Sequence, residues 1–180
     1  AFGAAVGSGA TAKMMDTVVS SSGLVTVSAT ASATINSKAT NTTESTIEGL
    51  KPGKGLAVGV ILASNKVSSL ADASIIYTLG FSDGYSGAEI VGADGVTVSA
   101  TDSASITSTI DLKAEATSIA SGNKNGDENG ATAVSAMVAM NDVRAGAKAH
   151  IENAEVEATN GDISILATES ANLTADLDAE

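Results

Sequence analysis

From Val96 to Thr117 the chain alternates without a break. Of the eleven residues Val96, Val98, Ala100, Asp102, Ala104, Ile106, Ser108, Ile110, Leu112, Ala114 and Ala116, nine are apolar. None of the eleven interleaved residues, Thr97 to Thr117, is apolar. Successive side chains of an extended chain point to opposite faces, so strict two-residue alternation means β-strand. Twenty-two extended residues would reach roughly 70 Å at about 3.3 Å each, far beyond an ordinary strand. A chain that stays in phase for so long is expected to turn corners while it keeps winding about one axis.

Repeats favour winding. VTVSAT occurs at 25–30 and 96–101, and ISILAT at 163–168 has the same pattern. The alignment runs on: Val25, Val27, Ala29, Ala33 and Ile35 match Val96, Val98, Ala100, Ala104 and Ile106, then Ile163, Ile165, Ala167, Ala171 and Leu173. A second block, AVGVILASNKVSSLADASI at 57–75, matches AVSAMVAMNDVRAGAKAHI at 133–151, keeping Ala57/Ala133, Asn65/Asn141, Val67/Val143, Ala71/Ala147, Ala73/Ala149 and Ile75/Ile151. Copies lie 71, 67 or 76 residues apart. The unequal spacing places insertions of about five residues near 121–130 and about nine within 77–87, as loops on a repeated scaffold. Asn125-Gly126, Asn129-Gly130 and Asn160-Gly161 supply turn chemistry.

The expected fold is all-β, a right-handed parallel β-helix (β-solenoid), with repeats near 25–95 and 96–162 and a partial copy at 163–180. A coil of three short strands takes roughly 20–25 residues, so each ~70-residue repeat is expected to hold about three coils, and the chain to form a rod roughly 35–40 Å long. Asp102 and Ser108 interrupt the apolar phase and are expected at corners, with Glu169 in the place of Asp102 in the third copy. Residues 131–149 also carry helix formers, with Met137, Met140 and Arg144 at near-helical spacing. The matching earlier copy is rich in Val, Ile and Ser, so strand is the expectation for both.

The composition agrees with a narrow interior. Apolar residues make up 43%, mostly Ala and Val, while aromatics are only 2%, too few to fill a wide core. There is no Cys, so no disulfide framework exists and the redox compartment is not legible. Nine Lys and Arg against 21 Asp and Glu give a net charge of −12, which argues against nucleic acid or an anionic membrane as partner. No run approaches 18 apolar residues, which excludes a transmembrane helix, and the first residues lack the basic flank of a signal peptide. The pattern starts and stops in mid-repeat, as expected of an excerpt from a longer protein.

VTVSAT, A-x-N-x-V and A-x-A-x-I, each followed by strand, turn and strand, resemble the repeats of very large bacterial surface proteins of the filamentous-haemagglutinin-like adhesin type, from about residue 20 to 180. The resemblance implies an extracellular, secreted or cell-surface β-helical stalk, extended by adjoining repeats or copies of itself and without a catalytic signature.

Candidate sites are few. NKNGDENG places Asn123, Asn125, Asp127 and Asn129 at alternate positions, as in an oxygen-rich cation loop. An EF-hand needs Gly at its sixth and Glu at its twelfth position, where Glu128 and Val134 stand; a solvated turn is therefore expected, with weak Ca²⁺ binding at Asn125, Asp127 and Asn129 as the alternative. His150 is the lone histidine and falls in the outward phase with Lys148 and Glu152; without Cys or a second His a zinc site is nearly excluded. Three of the four aromatics, Tyr77, Phe81 and Tyr85, gather in the 77–87 insertion, where they either cover a lateral face of the rod or contact a glycan, protein or neighbouring subunit. A carbohydrate-active enzyme is the least favoured reading, because such sites use basic or aromatic clusters and Arg144 is the one arginine. The Thr/Ser outer face does not imply ice binding, since Thr is simply a good outward β residue.

Overall fold

The computed structural model of the protein describes residues 2–49, 54–82, 84, 88–120 and 130–180. Its strands are β1 (Phe2–Met15), β2 (Val19–Ser21), β3 (Val25–Gly49), β4 (Lys54–Ile76), β5 (Ile90–Gly92), β6 (Val96–Ala120), β7 (Gly130–Arg144), β8 (Ala147–Glu152), β9 (Val156–Ala158) and β10 (Ile163–Ala179), with one helical turn, α1 (Leu79–Ser82). Among the described residues they form three sheets, all of them parallel. The front sheet has the order β1-β4-β7, with β8 continuing beside β4; the back sheet is β10-β6-β3; a short end sheet is β2-β5-β9.

Each repeat therefore passes through the three sheets once. β1-β2-β3 make the first rung, β4-β5-β6 the second, and β7/β8-β9-β10 the third. This corrects the expectation of about three coils per repeat. The run from Val96 turns no corner: β6 is one strand of 25 residues, about 80 Å long at ~3.3 Å per residue. Asp102 and Ser108 sit inside it, not at corners. Three rungs spaced ~4.8 Å apart span about 10 Å, so the assembly is broad and shallow where a rod of 35–40 Å was expected. The physical reason is legible in hindsight. A corner needs residues that tolerate a turn, and 96–120 contains no Gly, Pro or Asn.

A strand this long persists because its neighbours repeat its sequence. The matched residues become register partners: Val25 pairs with Val96 and Val96 with Ile163; Ile35 with Ile106 and Ile106 with Leu173. In the front sheet Asn65 pairs with Asn141, and Ile75 with Ile151. In-register parallel pairing satisfies backbone groups along the whole length and puts like residues over like, so one slip would turn every apolar side chain to the wrong face. Residues 131–144 and 147–149 are strand, as their earlier copy required, with a break only at 145–146.

The front and back sheets face each other, and their inward residues form the core. It is divided along the strands. One cluster joins Val25, Val27, Ala29 and Ala31 to Ala71, Ala73, Ile75, Tyr77, Ile90, Val96 and Val98. A second holds Ala33, Ile35, Val67, Ala104 and Ile106, and a third holds Ala39, Ile61, Ala63, Ile110 and Leu112. Small residues suffice because each rung supports the next.

At the end sheet the chain turns tightly. Gly95 has φ +126°, outside the range of most L-residues, and donates its amide to the Gly92 carbonyl at 3.1 Å. A Cβ on Gly161 would lie 2.1 Å from the Asp94 carbonyl oxygen, so the Asn160-Gly161 turn needs glycine because the neighbouring rung's backbone passes against it.

Candidate functional site

Two polar layers cross the apolar interior, between the first and second clusters and between the second and third. In the first, Asp102 projects from β6 toward the front sheet, with no exposed surface. Its Oδ2 accepts the Ser69 hydroxyl at 2.9 Å and the Gly146 amide at 2.7 Å. Gly146 lies at the interruption between β7 and β8, where its amide is turned to a side-chain acceptor. Oδ1 has no hydrogen-bond partner. Asp102 thus ties the back sheet of the second rung to the front sheet of the second and third.

The second layer is neutral. Asn65 donates through Nδ2 to Ser37 Oγ at 3.0 Å and to Asn141 Oδ1 at 2.9 Å, while Ser108 is buried nearby in the same phase as Ser37, its β3 register partner. A third buried polar group stands at the end sheet. Glu89 accepts the Glu155 amide at 2.6 Å, and its own backbone carbonyl accepts from Val19, so all three rungs meet at one residue. These acids lie sealed from solvent, and each takes a backbone amide of the third rung. Their geometry is that of rung-to-rung fastening: the bonds each acid accepts offset part of the cost of burying it, while Asp102 Oδ1 and the neighbouring layer's Ser108 Oγ stay without a hydrogen-bond partner.

The aromatic insertion divides. Tyr77 is fully buried, stacked on Phe81 with ring centroids 5.2 Å apart, and its hydroxyl donates to the Thr17 carbonyl of the first rung. Phe81 is half-buried and packs on the first core cluster. Tyr77 is therefore a core residue, and Phe81 covers the end of that core. Tyr85 lies outside the described residues. The hydroxyl of Tyr77 gives a clean test. Tyr77→Phe keeps the packing and strands the Thr17 carbonyl, so a loss of about 1 kcal/mol in urea unfolding is expected; no change would show that bond to be idle.

His150 is in the outward phase as expected, on β8 opposite Ser74, but it is half-buried rather than solvated. Its Nδ1 lies 3.7 Å from Asp72 Oδ1, beyond hydrogen-bonding range, and the pair attracts only when the imidazole is protonated. Asn125, Asp127 and Asn129, the cation candidates, lie outside the described residues. Among the described residues no group of three or more His, Cys, Asp or Glu side chains could hold a metal ion. Among them too, no helix is long and apolar enough to cross a membrane.

Two features escape a sequence reading that begins the repeats at residue 25. β1 is the front-sheet strand of the first rung, and V-x-S-x-A-x-A at 6–12 does recur at 67–73, where Val6 pairs with Val67 and Ser8 with Ser69. Glu89 carries no local signal, because its partners come from other rungs. No family model, curated protein or solved structure matches the chain.

Proposed function

We propose that the chain is a structural, adhesive segment of a secreted bacterial surface or filament protein: a right-handed β-solenoid wound once per repeat and extended by adjoining repeats or by copies of itself. On this reading the chain is extracellular and non-catalytic, in keeping with the resemblance of its repeats to filamentous-haemagglutinin-like adhesins. The observation that carries it is the unused edge of the back sheet. Ile106, Val96 and Val98 on β6 are 0% exposed, whereas their partners Leu173, Ile163 and Ile165 on β10 are 47–51% exposed with β6 on one side only. β10 is built to the same pattern as the strand it covers, so a further rung would pair with it in the same register. An edge of this length is a template for more strand. A glycan- or protein-binding role for the insertion at 77–87 is the weaker reading, since Tyr77 is already engaged in the core.

Size-exclusion chromatography with light scattering and negative-stain electron microscopy of the 180-residue segment test it. Concentration-dependent end-to-end polymers are expected, and Ile165→Lys with Leu173→Lys should abolish them while leaving the inner rungs folded, because the lysines stand where the next rung would stack. A monomer at every concentration would overturn the reading.

A further inference from the structure

The two broad sheets are unlike on their outer faces. On the back sheet the outward phase of β6 runs Thr97, Ser99, Thr101, Ser103 and Ser105, the ordinary surface of a half-solvated strand. On the front sheet, the outward phase of β4 runs, after Lys54, through Leu56, Val58, Val60 and Leu62, which are 60%, 52%, 64% and 41% exposed. Beside them on β7 stand Val138 and Met140, 50% and 59% exposed. LAVGVIL is thus apolar in both phases, the pattern of a parallel strand covered on both sides. One of those covers, the back sheet, is in place.

We infer that this end of the front sheet's outer face is an interface that pairs with the same face of a second copy of the chain. Size supports it. Half-exposed side chains of this kind present on the order of 100 Å² each, so the patch comes to roughly 600 Å², at the upper limit of what monomers expose and near the ~800 Å² that each partner gives to a stable complex. Charge selects the partner. Two copies carrying −12 each repel unless they meet where the charge is not negative. The outward residues of the front-sheet strands include five of the nine cations (Lys13, Lys54, Lys66, Arg144, Lys148) against three anions (Asp72, Asp142, Glu152). The outward residues of the back-sheet strands hold two cations (Lys38, Lys113) against six anions (Glu44, Glu48, Asp111, Glu115, Asp176, Asp178). The front face is where like copies can approach.

A two-fold axis along the stacking direction reverses the strands of one copy against the other and lays the apolar patch of one β4 on that of the other. Such an isologous contact closes after two copies and leaves both stacking edges free.

The experiment uses the segment carrying Ile165→Lys and Leu173→Lys, in which end-to-end growth is blocked, so that its outcome is independent of the stacking proposal. Sedimentation equilibrium should give a monomer–dimer equilibrium. Val58→Thr with Val60→Thr keeps β-branched side chains on a solvent face, so circular dichroism and the unfolding midpoint should hold while the dimer weakens by at least about 30-fold. A capped segment that stays monomeric up to millimolar concentration overturns the inference. So does a dimer indifferent to the threonine pair, and so does a monomer that instead floats with zwitterionic lipid vesicles.

Discussion

Ile106→Asp is expected to unfold the chain under native conditions, while Thr107→Asp, one residue further along the same strand, costs less than about 1 kcal/mol. Ile106 lies fully buried between its register partners Ile35 and Leu173 and packs with Val67 and Ala104. Replacing it forfeits about 2–3 kcal/mol of apolar burial and places a carboxylate where no donor waits, a further cost of several kcal/mol. A total above about 5 kcal/mol rivals the entire stability of an ordinary domain. Thr107 points outward between Asn36 and Thr174, where water solvates a new charge. Chemical denaturation with circular dichroism measures both. Equal losses at 106 and 107 would sink the assignment of faces. Ala104→Asp, in the same inward phase and buried, should behave as Ile106→Asp does.

The second large effect is expected at Asp102. In Asp102→Ala the Ser69 hydroxyl and the Gly146 amide lose their acceptor inside the core, at about 1–3 kcal/mol for each buried group left unpaired. Removing the carboxylate also relieves the cost of having buried it, so the net loss is about 2–4 kcal/mol rather than the full sum. Asp102→Asn keeps an acceptor oxygen and should lose less, about 1–2 kcal/mol. Hydrogen exchange adds a local readout: the Gly146 amide should lose protection in the alanine variant before the strands around it do. If the unfolding midpoint and the Gly146 protection both stay at wild-type values, the fastening role of Asp102 is wrong.

The two substitutions differ in how far they were legible beforehand. Alternation alone marks Ile106 as inward and Thr107 as outward, and the repeats alone predict that Ile35 and Leu173 stand over Ile106. The position of Asp102 in the inward phase is equally plain in the sequence, but the reason for its acceptance is not. Its donors lie in the facing sheet, 33 and 44 residues away in the chain. Nothing local pairs them. Tyr77 shows the same limit. The insertion's aromatics read as either covering the rod or making an outside contact, and what settles Tyr77 is a hydroxyl bond to a residue 60 positions earlier in the neighbouring rung.

The sequence by itself determined which side chains lie inside and which repeat residues stack on which, because a period of two sets the face and near-identical copies have one register that keeps every face in place. It also carried, in the absence of Gly, Pro and Asn from 96 to 120, the instruction not to turn there. The tertiary structure decided the rest: that a repeat makes one rung, that β1 belongs to the first of them, and that a buried carboxylate meets an amide across the core. Those outcomes depend on how two sheets are offset face to face, and a side-chain period along one strand contains no term for the distance to another.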